Sequence, residues 1–283
     1  MGEQAQPTRR DTDLALTTHR IGRPLWHYAS VPSTMPLAHE LARAGATDGT
    51  AILADEQTAG RGRRGRAWIA PPGTAILCSV ICRPPVSAER LFLLVAAFGL
   101  GLCAGIEHVT GLRPSVKWPN DLLLDGRKLA GILCESRLGA RGLDHAVVGF
   151  GLNVNLLAEE LPAPQPGALS PTSLALALGA PVERDTILRA ILGGIDDLYD
   201  RLWAGDEARV SEGWVARLAG LGEEVRIETD AGARSGRFVG VAADGALVLD
   251  AGGQLEQYLV GDVILGPRPM ASNQNERQDL TPH

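Results

Sequence analysis

The stretch AGRGRRGRAW, residues 59–68, sets four arginines (Arg61, Arg63, Arg64, Arg66) among glycines and ends on Trp68. Glycine lets backbone N–H groups come close to a phosphate, and the planar guanidinium matches phosphate oxygens as a fork. Several arginines on one flexible loop can close over a triphosphate, and Trp68 offers a flat face for a base. The plainer alternatives are a solvated basic loop or an RNA-binding tract. No GxxxxGK(S/T) phosphate loop occurs in the chain.

Three further segments carry chemistry-bearing residues. In VKWPND (116–121) Lys117 is a strand cation, Asn120 can hydrogen-bond a base or ribose, and Asp121 can bind Mg²⁺ through oxygen; an Asx-type turn is the alternative. In RKLAGILCE (127–135) Lys128 sits in otherwise strand-like apolar text, where it needs an anion or an exit to water at a strand end. Strict alternation puts Lys128 and Gly131 on opposite faces, so both line one pocket only if the strand bulges or kinks between them. In GFGLNVN (149–155) Gly149 and Gly151 allow close backbone approach and Asn153 is polar in an apolar strand; the G-x-G opens no helix, which makes it weak as a dinucleotide fingerprint.

These residues need a scaffold. The chain has 283 residues, room for one large domain and a small one, and a net charge of −6, so any polyanion contact is local. Cys78, Cys82, Cys103 and Cys134 form no CxxC and read as buried thiols of a reducing compartment. No signal-peptide core opens the chain, and the apolar run 91–106 is short and holds three glycines. The expectation is cytoplasm, no membrane, and a buried amphipathic helix over 87–111 capped by Ser87 and closed by Gly111. Residues 34–45 read as a helix; 50–55, 74–82 and 145–155 as strands; 183–203 and 206–219 as helical; 162–171 as a Pro-rich loop. Asp125-Gly126 between apolar runs signals a tight hairpin. From 222 the text turns to short strands with Gly turns, a small β barrel. The expected organisation is a disordered polar lead at 1–22, a catalytic domain at 23–220, the barrel at 221–266 and a disordered tail at 267–283.

The set STMPLA, DEQTAGRGRRGRAW, VKWPNDLLLDGRKLAGILCE and VVGFGLNVN, in that order before a small barrel, resembles the biotin protein ligases over residues 25–265. That resemblance implies an α+β fold: a central mixed, mostly antiparallel sheet with flanking helices, class II synthetase-like, plus a C-terminal SH3-like barrel. It implies an ATP-dependent, AMP-forming ligase that makes biotinyl-5′-AMP from biotin and Mg-ATP. The biotin then passes to one lysine of a biotin carboxyl carrier domain of acetyl-CoA carboxylase or a related carboxylase.

By the same resemblance, Lys128 would bridge the biotin carboxylate and the α-phosphate, with Arg61 and Arg63 facing the carboxylate and the phosphates and Arg64 ordering the loop. Ser33, Thr34, Gln57 and Gly60 would surround the head of biotin, and Gly131 would leave room for its rings. Trp68, Lys117, Asn120, Asn153 and the backbone at Gly149 would form the ATP side together with Arg61, Arg63, Arg64 and Lys128. Asp121 is the candidate Mg²⁺ ligand. The family usually continues Ser-Thr with Asn, whereas Met35 and Pro36 follow here, so the next helix is expected to be entered differently. Some members carry an N-terminal winged helix that represses transcription; residues 1–24 are too few to form one, and no operator-DNA role is expected. Some dimerise through an edge of the central sheet, and the sequence leaves monomer or homodimer open. The other readings are a lipoate or octanoate ligase of related plan, whose fatty chain would leave Ser33, Thr34 and Gln57 unpaired, and a non-enzymatic RNA-binding module.

Overall fold

The computed structural model describes residues 7–9, 14–140, 142–163 and 169–265. Eight strands, β1 (Thr8–Arg9), β2 (Leu25–Val31), β3 (Ala51–Gln57), β4 (Ala75–Cys82), β5 (Ser115–Lys117), β6 (Asp121–Leu124), β7 (Arg127–Gly139) and β8 (Gly142–Asn153), make one sheet in the order β1-β2-β3-β4-β8-β7-β6-β5. The β2–β3 pair is parallel and its neighbours are antiparallel, so the sheet is mixed and mostly antiparallel.

The period of two along the strands divides the molecule into its structural face and its working face. On β8 the residues Ala146, Val148, Phe150 and Leu152 join the main core, beneath α2 (Phe92–Thr110) and α4 (Arg184–Trp203), with the short α3 (Leu174–Leu178) preceding α4 in the chain. Val147 points the other way, under α1 (Thr34–Arg43), and Gly149, Gly151 and Asn153 continue that opposite face into a cavity. Strand β4 repeats the pattern, with Ile76, Cys78, Val80 and Cys82 in the main core and Ile81 in the core beneath α1.

Helix α2 differs from the expected amphipathic helix. It is apolar on nearly every side because it is covered on nearly every side, by the sheet, by α4 and by α5 (Glu207–Val215). A Cβ on Gly101 would lie 2.6 Å from the backbone N of Ile195, and one on Gly105 2.6 Å from that of Ile191. The glycines of the run therefore set how closely α2 and α4 approach. The helix does not start at Ser87, whose side chain caps nothing; a 3-10 turn at Ala88–Arg90 precedes Phe92. It does end at Gly111, with φ 72° and its N–H bonded to the Glu107 carbonyl at 2.9 Å.

The lead also departs from expectation. Leu14, Leu16 and Ile21 are buried in the main core, and β1 pairs with β2. The carboxylate of Asp196 on α4, itself buried, accepts the backbone N–H groups of His19, Arg20 and Ile21, which fixes this segment to the domain. The tail at 267–283 lies outside the described residues.

The C-terminal unit is all β, as expected. Strands β9 (Glu224–Thr229), β10 (Gly232–Val241), β11 (Leu247–Asp250), β12 (Leu255–Tyr258) and β13 (Asp262–Leu265) form an antiparallel sheet ordered β12-β11-β10-β9-β13 around Val225, Ile227, Phe238, Leu247, Leu249 and Val263. Trp118 from the catalytic domain is buried in this second core and donates its indole N–H to the Gly245 carbonyl at 2.9 Å. The two domains thus meet at the residue just before Pro119 and Asn120.

Candidate active site

The cavity on the working face measures about 570 Å³, and glycine makes its floor. Gly131 on β7 pairs with Gly151 on β8, and Gly149 on β8 pairs with Ser79 on β4. A Cβ on Gly151 would lie 2.4 Å from the Trp68 ring and one on Gly131 3.1 Å from it, while a Cβ on Gly149 would lie 2.5 Å from the Met35 sulfur. A side chain at Gly131 or Gly151 would therefore press on the Trp68 indole, and both glycines line the cavity. Met35 and Pro36 explain themselves similarly. Pro36 stands in the first turn of α1, where a missing N–H breaks no helical bond, and Met35 reaches back over Gly149.

The hairpin that delivers Lys128 turns at Asp125 (φ 49°) and Gly126 (φ 76°), two consecutive left-handed residues as a tight primed turn requires. Leu122 then pairs with Ala130 but Leu123 with Lys128, so Leu129 is an extra residue on β7. This bulge resolves the alternation problem, and Lys128 and Gly131 both line the cavity. The backbone of Lys128 is also held from the far side, donating to the Ser170 carbonyl and accepting from the Thr172 N–H, each at 2.9 Å.

The arginine stretch forms a small hairpin-like lid. Its base is closed by Trp68 N–H to the Gly60 carbonyl at 3.0 Å, and its tip by Gly62 N–H to the Arg66 carbonyl at 2.7 Å. Arg64 takes a left-handed backbone (φ 56°) at the apex. Arg63 turns inward and donates to Asn120 Oδ1 at 3.0 Å. Asn120 in turn donates to the Ile132 carbonyl at 2.6 Å, which locks its amide. Arg64 and Arg66 turn instead to acids of the C-terminal domain, Asp230 and Asp262.

Lys117, Arg63 and Lys128 thus meet in one cavity with Asp121 and Asp262 among them. Lys128 Nζ is 2.8 Å from Asp121 Oδ1 and 5.8 Å from the centre of the Trp68 ring. Burial pulls the Lys117 ammonium below its usual range, against the opposing pull of Asp121 and Asp262. Burial likewise lowers the Arg63 guanidinium, with Asp262 and Asp121 opposing. At Asp262 burial pushes upward, and Arg66, Lys117 and Arg63 outweigh it, so the carboxyl titrates below its ordinary value.

A polar corner closes the other end. Gln57 Oε1 accepts from the Thr34 backbone N–H at 2.7 Å and from the Thr34 hydroxyl at 3.1 Å, and that hydroxyl is 2.7 Å from Ser79 Oγ. Asn153 donates to the Thr172 carbonyl at 2.9 Å and lines the wall.

Of the residues singled out from the sequence, the cavity lining holds Thr34, Gln57, Arg61, Arg63, Arg64, Trp68, Lys117, Asn120, Asp121, Lys128, Gly131, Gly149 and Asn153. Ser33 and Gly60 lie outside it. Ser33 Oγ is buried without a hydrogen-bond partner among the described residues. A Cβ on Gly60 would sit 2.5 Å from the Trp68 carbonyl, so this glycine serves the close base of the lid. The sequence reading missed Ser79 and Asp262. Ser79 had a signal, as the lone hydroxyl inside AILCSVIC; Asp262 had none.

Comparison with known proteins agrees with this geometry. The sequence profile of the Biotin/lipoate A/B protein ligase family matches residues 28–153, and that of the Biotin protein ligase C terminal domain matches residues 220–266. The chain is 30% identical over 251 residues to the bifunctional ligase/repressor BirA of Bacillus subtilis, covering 89% of this chain and 77% of that protein. It is 36% identical over 200 residues to the biotin–[acetyl-CoA-carboxylase] ligase of Paracoccus denitrificans, covering 70% of this chain and 82% of that one. The biotin protein ligase of Aquifex aeolicus, solved in complex with biotin and ATP, superposes with a TM-score of 0.70 at 28% identity, over 85% of this chain and 97% of that one. A glycine-floored cavity under an arginine lid, on a chain so matched in both of its domains, places the protein in the biotin protein ligase family.

Proposed function

We propose that the cavity activates biotin with ATP to biotinyl-5′-AMP and pyrophosphate, and that the biotin is then transferred to a lysine of a carboxylase carrier domain. The observation that supports this reading best is the meeting of Lys128, Arg63 and Lys117 in one cavity. A carboxylate and a triphosphate repel each other, and three fixed cations let them approach in line.

In the first step a biotin carboxylate oxygen would attack the α-phosphorus, and the bond from that phosphorus to the α,β-bridging oxygen would break, its electron pair leaving with pyrophosphate. Lys128, which lines the cavity, would neutralise both the attacking carboxylate and the α-phosphate. Arg63, oriented by Asn120, and Lys117 offset charge on the phosphates; Arg61 and Arg64 lie on the same lid. Thr34, Gln57 and Ser79 offer the polar partners that a ureido head requires and a fatty acyl chain would leave unpaired, which favours biotin over lipoate or octanoate. Asp121 carries carboxylate oxygens of the kind Mg²⁺ takes and would hold the ion that accompanies ATP, at the cost of its pairing with Lys128. In the second step the carrier amine attacks the mixed anhydride and AMP leaves.

Incubation with biotin, Mg-ATP and a biotin carboxyl carrier domain, read by intact mass, tests the proposal. The expected product is the carrier plus one biotinyl group, dependent on ATP, with octanoate and lipoate giving none. Transfer of octanoate in place of biotin would overturn the assignment.

A further inference from the structure

The tip of the arginine lid has no apolar anchor: no residue of Arg63–Gly65 is buried, and Arg61, Arg64, Gly65, Arg66 and Ala67 are exposed. Beyond three backbone hydrogen bonds, Trp68 N–H to Gly60 at its base and Gly62 N–H to Arg66 and Arg66 N–H to Arg63 at its tip, its outward contacts among the described residues are ionic and reach into the other domain. Arg64 pairs with Asp230, at the turn between β9 and β10, and lies 3.7 Å from Asp262. Arg66 pairs with Asp262, the first residue of β13. Asp262 also lines the cavity and shares it with Lys117 and Arg63. Three arginines within four residues repel one another, so a closed lid needs anions close by. For Arg64 and Arg66 these anions are Asp230 and Asp262 of the C-terminal domain.

We propose that Asp230 and Asp262 form an internal anionic latch, which holds the arginine lid against the C-terminal domain until the polyphosphate of a nucleotide takes the guanidiniums in their place. The substitution is one of like for like, because a carboxylate and a phosphate offer the same forked acceptor to a guanidinium. The two acids are positioning residues for the lid. The latch itself concerns the unliganded protein; its displacement by nucleotide rests on the function proposed above.

Limited trypsin digestion reads the latch directly, since trypsin requires a free arginine side chain on a locally opened backbone. The probe is cleavage within 61–66, followed by mass, in Asp230→Asn, Asp262→Asn and the double variant, without ligand at low salt. Asp230 is 88% exposed at a turn, so its replacement leaves the fold in place even where Asp262→Asn does not. Glu228→Gln is the control; it removes the same charge from the residue paired with Asp262 in the sheet, and Glu228 contacts Arg226 rather than the lid.

Loss of Asp262 should speed cleavage about fivefold, the equivalent of one surface ion pair at the strong end of its range, and loss of the more exposed Asp230 about twofold. The double variant should be cleaved fastest, Glu228→Gln should match the parent, and Asp262→Glu should restore protection. High salt should bring the parent up to the rate of the double variant. Equal cleavage of parent and double variant at low salt, or equal acceleration by Glu228→Gln, would overturn the latch. Biotin with Mg-ATP should then protect parent and double variant alike. Failure of that protection, with the unliganded difference intact, would strike the nucleotide reading and leave the latch standing.

Discussion

Replacing Lys128 by alanine tests the centre of the proposed chemistry. Its ammonium is 2.8 Å from Asp121 Oδ1, its side chain is 31% exposed, and it lies on the bulge that turns it into the cavity. A unit charge about 4 Å from a reacting oxygen contributes about 4 kcal/mol at an effective dielectric of about 20. Lys128 must release Asp121 to do this, and a partly exposed pair of that kind offsets about 1 kcal/mol. The remaining ~3 kcal/mol corresponds to a loss of about 150-fold in kcat/KM for adenylation. The fold should hardly respond, because one partly exposed ion pair contributes about 1 kcal/mol or less. Biotin-dependent exchange of pyrophosphate into ATP isolates this step from transfer, and a thermal melt reports the fold. Exchange within about threefold of the parent, on a protein that melts normally, would remove Lys128 from the reaction and refute the electrostatic reasoning.

Gly105→Ala should destabilise by about 2 kcal/mol, since its Cβ meets the backbone of α4 rather than a movable side chain; urea unfolding with an unchanged midpoint would contradict this. Gly151→Ala should displace Trp68 from the cavity floor, read as a shift in tryptophan fluorescence and a loss of ligand affinity; an unchanged spectrum would contradict it. Lys117→Met should stabilise the unliganded fold by about 1 kcal/mol while weakening ATP binding in calorimetry, because a buried ammonium pulled below its usual pKa burdens the fold at neutral pH; a lower melting temperature would contradict it. Asp262 titrates below its ordinary value in the fold, so its contribution is complete above the ordinary carboxylate pKa of about 4 and is lost as pH falls through the lowered one. The stability gap between parent and Asp262→Asn, about 1 kcal/mol at neutral pH, should therefore close in acid; a gap unchanged in urea melts between pH 7 and about pH 3 would contradict it.

Local chemistry was legible wherever it was written locally. Asp125-Gly126 announced the hairpin, and Gly111 announced the end of α2 through its left-handed backbone. The conflict between Lys128 and Gly131 even announced the bulge, since no unbroken strand puts both in one cavity. What remained hidden depends on long-range neighbours. Asp262 reaches the cavity only because Trp118 anchors the C-terminal domain beside Asn120, and nothing in GDVIL marks it. Leu14, Leu16 and Ile21 lie in polar text, and their segment is fixed to the core by Asp196, about 175 residues away, which takes the backbone N–H groups of His19, Arg20 and Ile21, and by Arg189, which donates to the Leu14 carbonyl. The Trp68 ring beside Gly131 and Gly151 arrives from a loop 63 residues before Gly131, and nothing local in RKLAGILCE marks that contact.

An acidic protein can build this cationic cavity because the cavity carries its own anions. Arg63, Arg64 and Arg66 crowd one turn and Lys117 is almost fully buried, so an uncompensated cluster would oppose folding. Asp121 and Asp262 compensate from within, and Asp230 from the rim. Compensation must also yield to substrate. Fully buried pairs would be broken only at a cost of several kcal/mol, whereas Lys128 is 31% and Asp262 26% exposed, which keeps each pair near 1 kcal/mol. A triphosphate presents several charges to the same donors at once and can outbid single carboxylates one at a time. The partial exposure of one member or both in each of these pairs is therefore what allows one arrangement of charge to be stable without ligand and open to ligand.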